Sequence, residues 1–343
     1  MELRQANSLT VGGEGKVMGK MRQACLTVTL NPAIDRLVCC DRFRAGHEQR
    51  CPNPVLSAGG KGINVARALR RLGVAVTATG FAGGAAGEFL RREMAREGVA
   101  ESFVRITGES RDCLTVRERS GRLTRLIPEG PRVSAQEIRS FLRHYDRLLP
   151  DVTWVVLSGR GVAGAGDDFY AQLIRRARRQ GKRVVLDASG PQLRLGLAAG
   201  PDFVKPNRAE AEFLLGRTIK SGRDAGWAAE KILTTSTQGV IVSLGPDGIA
   251  AADRLGTYVL RPVAQPVINT VGCGDSLVAG FVAAMMSGKN FVEALTRAVA
   301  AGVANTLTAQ PGAIARGKVA AIERKLVGKI IVGGCPVRRM RKK

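Results

Sequence analysis

The sequence is poor in histidine and in aromatic residues, and it contains no long hydrophobic run. Among 343 residues there are two histidines, His47 and His144, and neither lies in a motif, which argues against histidine-based catalysis. Aromatic residues make up 4% of the chain, too few for a platform on which the bases of a single-stranded nucleic acid would stack. No apolar run approaches the length that crosses a bilayer, and the first two dozen residues lack the apolar core of a signal peptide. We therefore expect a cytoplasmic protein without a membrane partner.

The cysteines lack the spacing of a metal site or of a disulfide framework. Their number is odd, and no two of them form a Cys-x-x-Cys pair. We expect reduced thiols, most of them small core residues of a cytosolic protein, and no metal bound by cysteine. The seven are Cys25, Cys39, Cys40, Cys51, Cys113, Cys273 and Cys335.

Acidic residues are scarce relative to basic ones. Asp and Glu together number 29 and Lys and Arg 53, so the formal net charge is +24. Such a charge suits a nucleic acid, an anionic surface or a phosphorylated substrate as partner. Basic and acidic residues are interleaved in the helical segments, as in Arg91-Arg92-Glu93, which is typical of solvated helix faces. A nucleic-acid partner is therefore not expected for the helices, while the basic end of the chain, 338–343, leaves that question open.

Strand-like apolar runs alternate with amphipathic helical segments through most of the chain. The pattern predicts a mainly parallel sheet covered by helices on both faces, and such sheets bind ligands beyond the carboxyl ends of their strands. The predicted strands are 26–30, 75–81, 152–157, 183–186, 203–205 and 240–244. The predicted helices are 63–72, 87–97, 135–148, 168–180, 209–215, 275–286 and 291–307.

Two regions depart from this alternation and indicate a lid. Residues 37–57 and 113–127 contain strand-like pieces with no helix between them, and the second region is a hairpin candidate around Gly121. A small second sheet built from them would cover the site, and its exposed edges suggest a homodimer through the lid.

The chain is predicted to form one main domain, 21–320, which includes the lid. We expect a disordered or artefactual extension, 1–20, before it and a basic tail, 321–343, after it. Met21 directly precedes the first strand and is a second candidate start.

The segment NTVGCGDSLVAGFVAAM (269–285) joins a glycine-rich turn to a long apolar run. The run predicts a buried helix, and 272–274 form a turn whose amides would point at one spot. The start of a helix presents N–H groups that lack partners and can hold an anion. Asp275 would lie beside that anion.

A second glycine cluster, SAGGKGIN (57–64), also precedes a predicted helix. Lys61 and Asn64 lie at the start of that helix, where they could bind a phosphate or a sugar hydroxyl. Upstream, Asp35 in NPAID (31–35) is expected at the carboxyl end of the first strand, where its carboxylate could accept two hydrogen bonds from a diol. A plain turn aspartate is equally compatible with that position.

Two further segments have both a structural and a functional interpretation. In KPNRAE (205–210), Asn207 has the position of an N-cap and Glu210 that of its capping-box partner. The same pair could hold metal-bound water around nucleotide phosphates, and both roles can coexist. In SLGPDG (243–248), a strand is followed by a tight turn, which is either a plain hairpin or a loop on the nucleotide side.

Five motifs in this order resemble the ribokinase/PfkB carbohydrate kinase family, and within it the phosphosugar kinases. The resemblance spans about 26–307. It implies a ribokinase-like three-layer α/β fold with a mainly parallel central sheet and a small β lid, together with ATP-dependent, Mg²⁺-assisted phosphorylation of a sugar hydroxyl. The motifs are TLNPAID (29–35), GGKGINVARAL (59–69), KPNRAE (205–210), SLGPDG (243–248) and TVGCGDS (270–276).

The resemblance also implies roles for individual residues at the reacting centre. Asp275 would accept the proton of the substrate hydroxyl. The amides of Gly272, Cys273 and Gly274 would stabilise the charge on the phosphoryl oxygens. The family usually has alanine at position 273, and because cysteine is small and contributes its amide there, activity is expected to survive.

Binding of the two substrates is likewise implied by the resemblance. Asn207 and Glu210 would organise Mg²⁺ through water, and Lys61 and Arg111 would bind the phosphate that the sugar already carries; for Arg111 a plain surface arginine is the alternative. The residues expected to bind ATP are Lys205, Asn207, Ser243, Gly245, Gly248 and Thr270. The residues expected to bind the sugar are Asp35, Gly59, Gly60, Lys61, Asn64 and Arg111.

Two departures from the family pattern concern the substrate. The family commonly has Ser-Gly-Ser and a proline-rich turn where this chain has SGRGVA (158–163), and a polar pair in the lid is replaced around IPEG (127–130). Either the phosphate is bound differently, for instance by Arg160, or the sugar is unusual.

Several activities remain open on this reasoning. The leading hypothesis is a 1-phosphofructokinase, because Lys61 in the Gly-Gly-Lys-Gly form of the motif resembles that subgroup and the tagatose-6-phosphate kinases. The alternatives are a 6-phosphofructokinase of the same family, a kinase of an unphosphorylated sugar or nucleoside, and a nucleic-acid-associated protein on the same scaffold.

Overall fold

The computed structural model describes residues 24–333, so the predicted extension, Cys335 and the basic end of the tail lie outside the described residues. Fifteen strands and ten helices form in this range. The strands are β1 (Ala24–Thr29), β2 (Ala33–Cys40), β3 (Val55–Gly59), β4 (Ala75–Gly83), β5 (Ala100–Glu101), β6 (Val104–Ile106), β7 (Arg111–Glu118), β8 (Leu123–Leu126), β9 (Trp154–Ser158), β10 (Arg183–Asp187), β11 (Phe203–Val204), β12 (Gly239–Ser243), β13 (Ile249–Asp253), β14 (Thr257–Leu260) and β15 (Ile331–Val332). The helices are α1 (Lys61–Arg71), α2 (Gly84–Arg96), α3 (Ala135–Leu148), α4 (Phe169–Arg179), α5 (Gly190–Ala198), α6 (Arg208–Leu215), α7 (Gly222–Ile232), α8 (Cys273–Met286), α9 (Phe291–Thr306) and α10 (Arg316–Leu326).

The central sheet is mainly parallel, as the alternation of strands and helices predicts. Its strand order is β5-β4-β1-β9-β10-β11-β12-β13-β14-β15, and β6 is a further partner of β4. The strands from β5 to β12 are parallel, and β13, β14 and β15 extend the sheet in antiparallel pairs. The carboxyl ends of the parallel strands therefore share one edge, at which the candidate residues converge.

Helices cover both faces of this sheet and make three layers. Successive side chains of a strand point to opposite faces. On β9, Trp154 and Val156 join the core formed with α1, α2, α8, α9 and α10. Val155 and Leu157 join the core formed with α3 to α7. The protein therefore has the α/β, ribokinase-like three-layer architecture that the motifs imply.

A second, four-stranded sheet forms the lid, in the order β3-β2-β7-β8. The strands β7 and β8 are the predicted hairpin, and β2 pairs with β7 in parallel. The expected place of Asp35, at the carboxyl end of the first strand, is wrong. The strand β1 ends at Thr29, Pro32 lies in the short connection that follows, and Asp35 is the third residue of the lid strand β2.

Several elements begin earlier than predicted or were missed. The helix α2 begins at Gly84 and α8 at Cys273, ahead of the predicted starts at 87 and 275. The helices α5 and α7 contain glycine, and β13 is mostly alanine, so weak local propensity hid them.

Regular structure continues into the segment predicted as a tail. The helix α10 buries Val319, Ile322 and Leu326, which recur at helical spacing. Beyond it, β15 pairs with β14. The described part of 321–343 therefore belongs to the fold.

Candidate active site

The glycine-rich turn before α8 forms the start of a buried helix. Gly272 is the N-cap in a left-handed conformation, with φ of 83°. A side chain there would also lie 2.6 Å from Pro311 Cβ, so only glycine fits. The Cys273 amide donates a long hydrogen bond of 3.4 Å to the Thr270 carbonyl. The other N–H groups at the start of α8 have no partner within the helix. The predicted turn is therefore the N-terminal end of α8, where an anion could be bound.

Asp275 lies in this first turn and is 6% exposed. Its Oδ2 accepts a hydrogen bond of 2.8 Å from Asn64 Nδ2 at the start of α1. Burial raises the pKa of Asp275 to about 6, and the charge of Asp187 adds to the rise, while Lys61, Asn64 and Lys205 oppose it. A carboxylate with such a pKa is well matched to general-base work near neutral pH.

Sequence reasoning missed Asp187, which holds two of the predicted lysines. It ends β10, is fully buried, and its Oδ1 lies 3.2 Å from both Lys61 Nζ and Lys205 Nζ. Ser158 at the end of β9 donates to its Oδ2 at 3.2 Å. Burial alone would raise the pKa of Asp187, but Lys205 and Lys61 hold it below the usual value. The one feature of the sequence that could have indicated Asp187 is its position directly after the predicted strand 183–186. No glycine motif beside it drew attention to that position.

A cavity of about 860 Å³ lies beside the start of α8. Seven predicted residues line it, namely Asn207, Ser243, Gly245, Gly248, Thr270, Cys273 and Gly274. The rest of the lining is mostly apolar and was not singled out from the sequence, because it is spread over the β12–β13 turn, the 262–267 segment, α8 and α9. Its larger members are Pro246, Ile249, Val263, Leu277, Val299 and Val303.

Two predicted nucleotide-side residues do not line this cavity. The amine of Lys205 lies 3.6 Å from the Cβ position of Gly274, at the edge of the anion-binding turn. Glu210 forms the predicted capping box: its Oε2 accepts from the Asn207 amide at 2.8 Å, and Asn207 Oδ1 accepts from the Glu210 amide at 2.9 Å.

The hairpin interpretation of 243–248 also holds, since β12 and β13 pair across that turn.

On the lid side, Asp35 packs directly against Gly59. A Cβ at Gly59 would lie 2.2 Å from Asp35 Oδ2, so the glycine makes room for the carboxylate. Burial raises the pKa of Asp35, and the charges of Arg125, Arg67 and Arg111 counteract it. Gly60, with φ of 113°, is the N-cap of α1 and places Lys61 and Asn64 at the start of that helix.

Arg111 uses its guanidinium to hold the lid to the body of the protein. Its Nη1 donates to the Pro128 carbonyl at 3.1 Å and its Nη2 to the Asn31 carbonyl at 3.0 Å. Its Nε is buried without a hydrogen-bond partner among the described residues. Arg111 thus lies at the site, but two of its donor groups are already engaged.

Arg125 is a second lid arginine, which sequence reasoning missed. It pairs with Thr115 across β7 and β8, and Asp35 pairs with Cys113, so these four residues share one face of the lid sheet. Within residues 24–333 it makes no hydrogen bond or ion pair, yet its charge is the strongest of those that lower the pKa of Asp35. Nothing in the sequence distinguished Arg125 from the other arginines of the hairpin.

None of the helices between residues 24 and 333 combines the length and apolarity that a bilayer crossing requires. In the same range, no three His, Cys, Asp or Glu side chains come together as a metal-binding group.

Comparison with known proteins identifies relatives of this arrangement. Residues 28–315 match the family model of the pfkB family carbohydrate kinases. The tetrameric inhibited form of phosphofructokinase-2 from Escherichia coli is 32% identical, with a TM-score of 0.82 over 89% of this chain and 99% of that one. The same enzyme in complex with fructose-6-phosphate is matched at 31% identity and a TM-score of 0.81 over 89% and 99% of the two chains.

Two proteins from Thermotoga maritima are also similar. A possible 1-phosphofructokinase is 29% identical, with a TM-score of 0.82 over 91% of this chain and 99% of that one. A ribokinase is 20% identical, with a TM-score of 0.72 over 88% and 99% of the two chains, and shares the fold.

Proposed function

This chain belongs to the pfkB family of carbohydrate kinases and is an ATP-dependent sugar kinase, and we propose that it converts fructose 1-phosphate to fructose 1,6-bisphosphate. The observation that carries the proposal is the position of Asp275. It is buried in the first turn of α8, between the apolar cavity and the charged residues under the lid. A base at that place can serve an acceptor hydroxyl held by the lid and a donor phosphate held beside the cavity.

Asp275 is proposed as the general base. The substrate O–H bond breaks as its proton passes to the Asp275 carboxylate, and the oxygen attacks the γ-phosphorus. The bond from that phosphorus to the bridging oxygen breaks, and ADP leaves with the electron pair. A pKa of about 6 keeps the carboxylate ionised at neutral pH while making it a stronger base than an ordinary aspartate.

The turn 272–274 is proposed to stabilise the charge on the transferred phosphoryl group. Its amides lie at the positive end of the α8 dipole, and donors fixed in this way need no reorganisation during the reaction. Lys205 adds a positive charge next to Gly274. Its anchoring by Asp187 fixes where that charge lies.

The nucleotide-side residues fit a magnesium ion held through water. Mg²⁺ prefers oxygen ligands, keeps several waters and is usually shared with substrate phosphates. Glu210 uses Oε2 in the capping box, which leaves Oε1 for a metal-bound water, and Asn207 lines the cavity next to it. When bound, the ion neutralises charge on the ATP phosphates. The remaining predicted residues, Ser243, Gly245, Gly248 and Thr270, would line the adenosine part of ATP.

A surplus of cations on the sugar side supports a phosphosugar over a free sugar. The charges of Arg111 and Arg125 act on Asp35, and Lys61 lies with Asn64 in the first turn of α1; Asp35 and Asn64 are proposed to bind sugar hydroxyls. Because Arg111 is engaged by two carbonyls, the resident phosphate is proposed to bind Arg125, whose guanidinium has no hydrogen-bond partner within residues 24–333. Arg160 follows Gly159, whose Cβ position is 3.6 Å from Lys61 Cβ, and is a further candidate.

Fructose 6-phosphate is the second candidate substrate. The Escherichia coli relative has been solved in complex with that sugar, and the Thermotoga maritima relative is named as a possible 1-phosphofructokinase. The Gly-Gly-Lys-Gly form around Lys61 favours fructose 1-phosphate, with tagatose 6-phosphate as a further member of the same class.

A homodimer through the lid is proposed as the assembly. Val55, Leu126 and Ile127 are 64%, 59% and 52% exposed on or beside the outer strands β3 and β8, whose outer edges pair with no other strand of the described residues. Apolar edge strands of this kind are commonly covered by a second copy. Light scattering should give a dimer mass for the wild type and a monomer mass for Leu126→Glu; equal masses would contradict the lid interface.

The test of the proposed function is a panel of substrates. Release of ADP by purified protein with Mg-ATP would be measured against fructose 1-phosphate, fructose 6-phosphate, tagatose 6-phosphate and free fructose. We expect the highest kcat/KM with fructose 1-phosphate and a loss of at least about 10³-fold in Asp275→Asn, as is typical when a general base is removed. Highest turnover of another sugar would replace the proposed substrate. Undiminished activity of Asp275→Asn would refute the assigned base.

A further inference from the structure

Arg67 is the largest fully buried side chain of the described residues, and the mechanism above leaves it unused. It lies on α1, one turn after Asn64, and is 1% exposed. Its Nε lies 2.5 Å from Glu97 Oε2, and its Nη2 donates to the Ala58 carbonyl at 2.6 Å. A buried guanidinium with this many partners is costly to desolvate, and a well-packed apolar residue could fill the same space. Its charge therefore calls for a reason other than packing.

The remaining donor group of Arg67 points to that reason. Its Nη1 donates to Asn64 Oδ1 at 3.0 Å and to the Pro311 carbonyl at 2.7 Å. A guanidinium can only donate hydrogen bonds, so the side of the Asn64 amide that faces it must be the carbonyl oxygen. The amide NH₂ is then forced toward Asp275 Oδ2, at 2.8 Å. A flipped amide would set two donors against each other at Arg67 and two acceptors at Asp275.

Pro311 links the same guanidinium to the anion-binding turn. Its Cβ lies 2.6 Å from the Cβ position of Gly272, and the amide of the next residue, Gly312, donates to Asn305 Oδ1 at 2.8 Å. Asn305 in turn donates to the Val271 carbonyl at 2.8 Å. One buried cation therefore contacts both the residue that orients the base and the segment that backs the turn.

We propose that Arg67 is a positioning residue that fixes the orientation of the Asn64 amide and, through it, holds Asp275 as an ionised base. The proposal rests on the assignment of Asp275 as the base. With the amide held, Asp275 receives a hydrogen bond that favours its charged form. Without Arg67 the amide is free to flip, and its oxygen would then face the carboxylate and disfavour that form.

The charges around Asp275 set the direction of the expected effect. Asp187 at the end of β10 raises the pKa of Asp275, while Lys61 on α1 and Lys205 after β11 lower it. None of these three contacts Arg67, so a change at Arg67 leaves them in place. Loss of the Asn64 hydrogen bond should therefore move the acid limb of the kcat/KM profile toward higher pH, by about one pH unit.

The experiment compares Arg67→Lys and Arg67→Met with the matched control Glu97→Gln. All of them disturb the buried ion pair, but Glu97→Gln keeps the guanidinium that faces Asn64. We expect the acid limb to move up in Arg67→Met, to move less in Arg67→Lys, which retains a donor, and to stay in place in Glu97→Gln. An unmoved limb in both Arg67 variants, or an equal shift in Glu97→Gln, would overturn the proposal and leave Arg67 a structural residue.

The Asn64→Ala background tests whether Arg67 acts through Asn64. In that background the additional Arg67→Lys change should not move the acid limb of the kcat/KM profile any further, because the Asn64 side chain that connects Arg67 to Asp275 is already absent. A further shift on adding Arg67→Lys would contradict the proposal.

A readout without catalysis separates this proposal from the proposed function. The free energy of unfolding would be compared between each variant and its Asp275→Asn derivative from pH 4 to pH 8. The pH at which that difference changes reports the pKa of Asp275 whether or not any sugar is phosphorylated. An upward shift in Arg67→Met supports the proposal even if the substrate assignment fails, and no shift in either Arg67 variant refutes it even if the kinase is active.

Discussion

The proposed nucleotide side of the candidate site is a largely apolar cavity, whereas the proposed sugar side is a group of charged residues under a separate sheet. The cavity is shaped by backbone turns and by aliphatic side chains of α8 and α9. The sugar side instead depends on Asp35, Arg111 and Arg125, which reach the site from lid strands. If the proposed assignment holds, binding of the nucleotide depends on the shape of the core, while binding of the sugar depends on charge carried by the lid. Changes in the two parts should therefore affect different substrates.

Among the changes confined to one of the two sides, the largest effect is expected from Arg125→Ala, which removes a cation from the proposed sugar side. A hydrogen bond to a charged group contributes about 1.5–3 kcal/mol, so KM for the phosphosugar should rise by between about tenfold and a hundredfold. KM for ATP should stay within about twofold, because Arg125 lies on the lid and not in the cavity lining. Steady-state kinetics with each substrate varied in turn would measure both.

Arg122→Ala is the matched control on the same hairpin. Arg122 is exposed and lies 3.8 Å from Glu118 within the lid, so its removal should leave both KM values unchanged. A rise in KM for ATP with Arg125→Ala, or no rise for the phosphosugar, would contradict the division between the two sides.

A change of pH acts where the two sides meet, at Asp275. The base must be ionised, so kcat/KM should fall about tenfold per pH unit below a pKa of about 6 and be flat above pH 7. A pH profile with fructose 1-phosphate would show this. A limb near pH 4 would mean that the buried position does not raise the pKa of the base.

The same group predicts a stability effect of defined sign. A carboxyl whose pKa rises from 3.8 to about 6 on folding favours the folded state at low pH and loses that contribution as pH rises through 6. A shift of this size corresponds to about 3 kcal/mol, so Asp275→Asn should unfold at higher denaturant concentration than the wild type at pH 8. The difference in stability between Asp275→Asn and the wild type should disappear toward pH 4. Equilibrium denaturation at a series of pH values would measure it.

The local geometry of the proposed nucleotide side could largely be predicted from the sequence, because its residues lie in local motifs. A glycine turn before a helix and an N-cap with its partner three residues later each specify their own geometry, as at Gly272 and at Asn207 with Glu210. The sugar side was less accessible, because its contacts join distant segments. Asp187 and Arg125 are single charged residues whose positions in the site are set by strand order and register, and neither position follows from nearby sequence.

A smaller effect is expected from Val303→Phe, which fills part of the cavity. Val303 on α9 is 8% exposed and lines the cavity, so a larger ring would occupy space proposed for the adenine. KM for ATP should rise about tenfold, comparable to the cost of a poor fit of about 1–3 kcal/mol in an apolar pocket, with KM for the sugar unchanged. The control is Val292→Phe on the same helix, which lies outside the cavity lining. An equal rise in both variants would mean that a disturbed α9, and not a filled cavity, is responsible.

The smallest effect is expected from Cys273→Ala, at the point where the turn meets both substrates. The thiol receives only a long hydrogen bond from Asn305 Nδ2, at 3.5 Å, and burial raises its pKa so that it stays neutral. Its side chain therefore adds little charge stabilisation, and kcat should remain within about twofold of the wild type if the backbone amide provides the stabilisation. Steady-state kcat of the variant and the wild type, measured with both substrates saturating, checks this expectation. A fall in kcat of more than about tenfold would show that the thiol itself, and not only the backbone amide, contributes to catalysis.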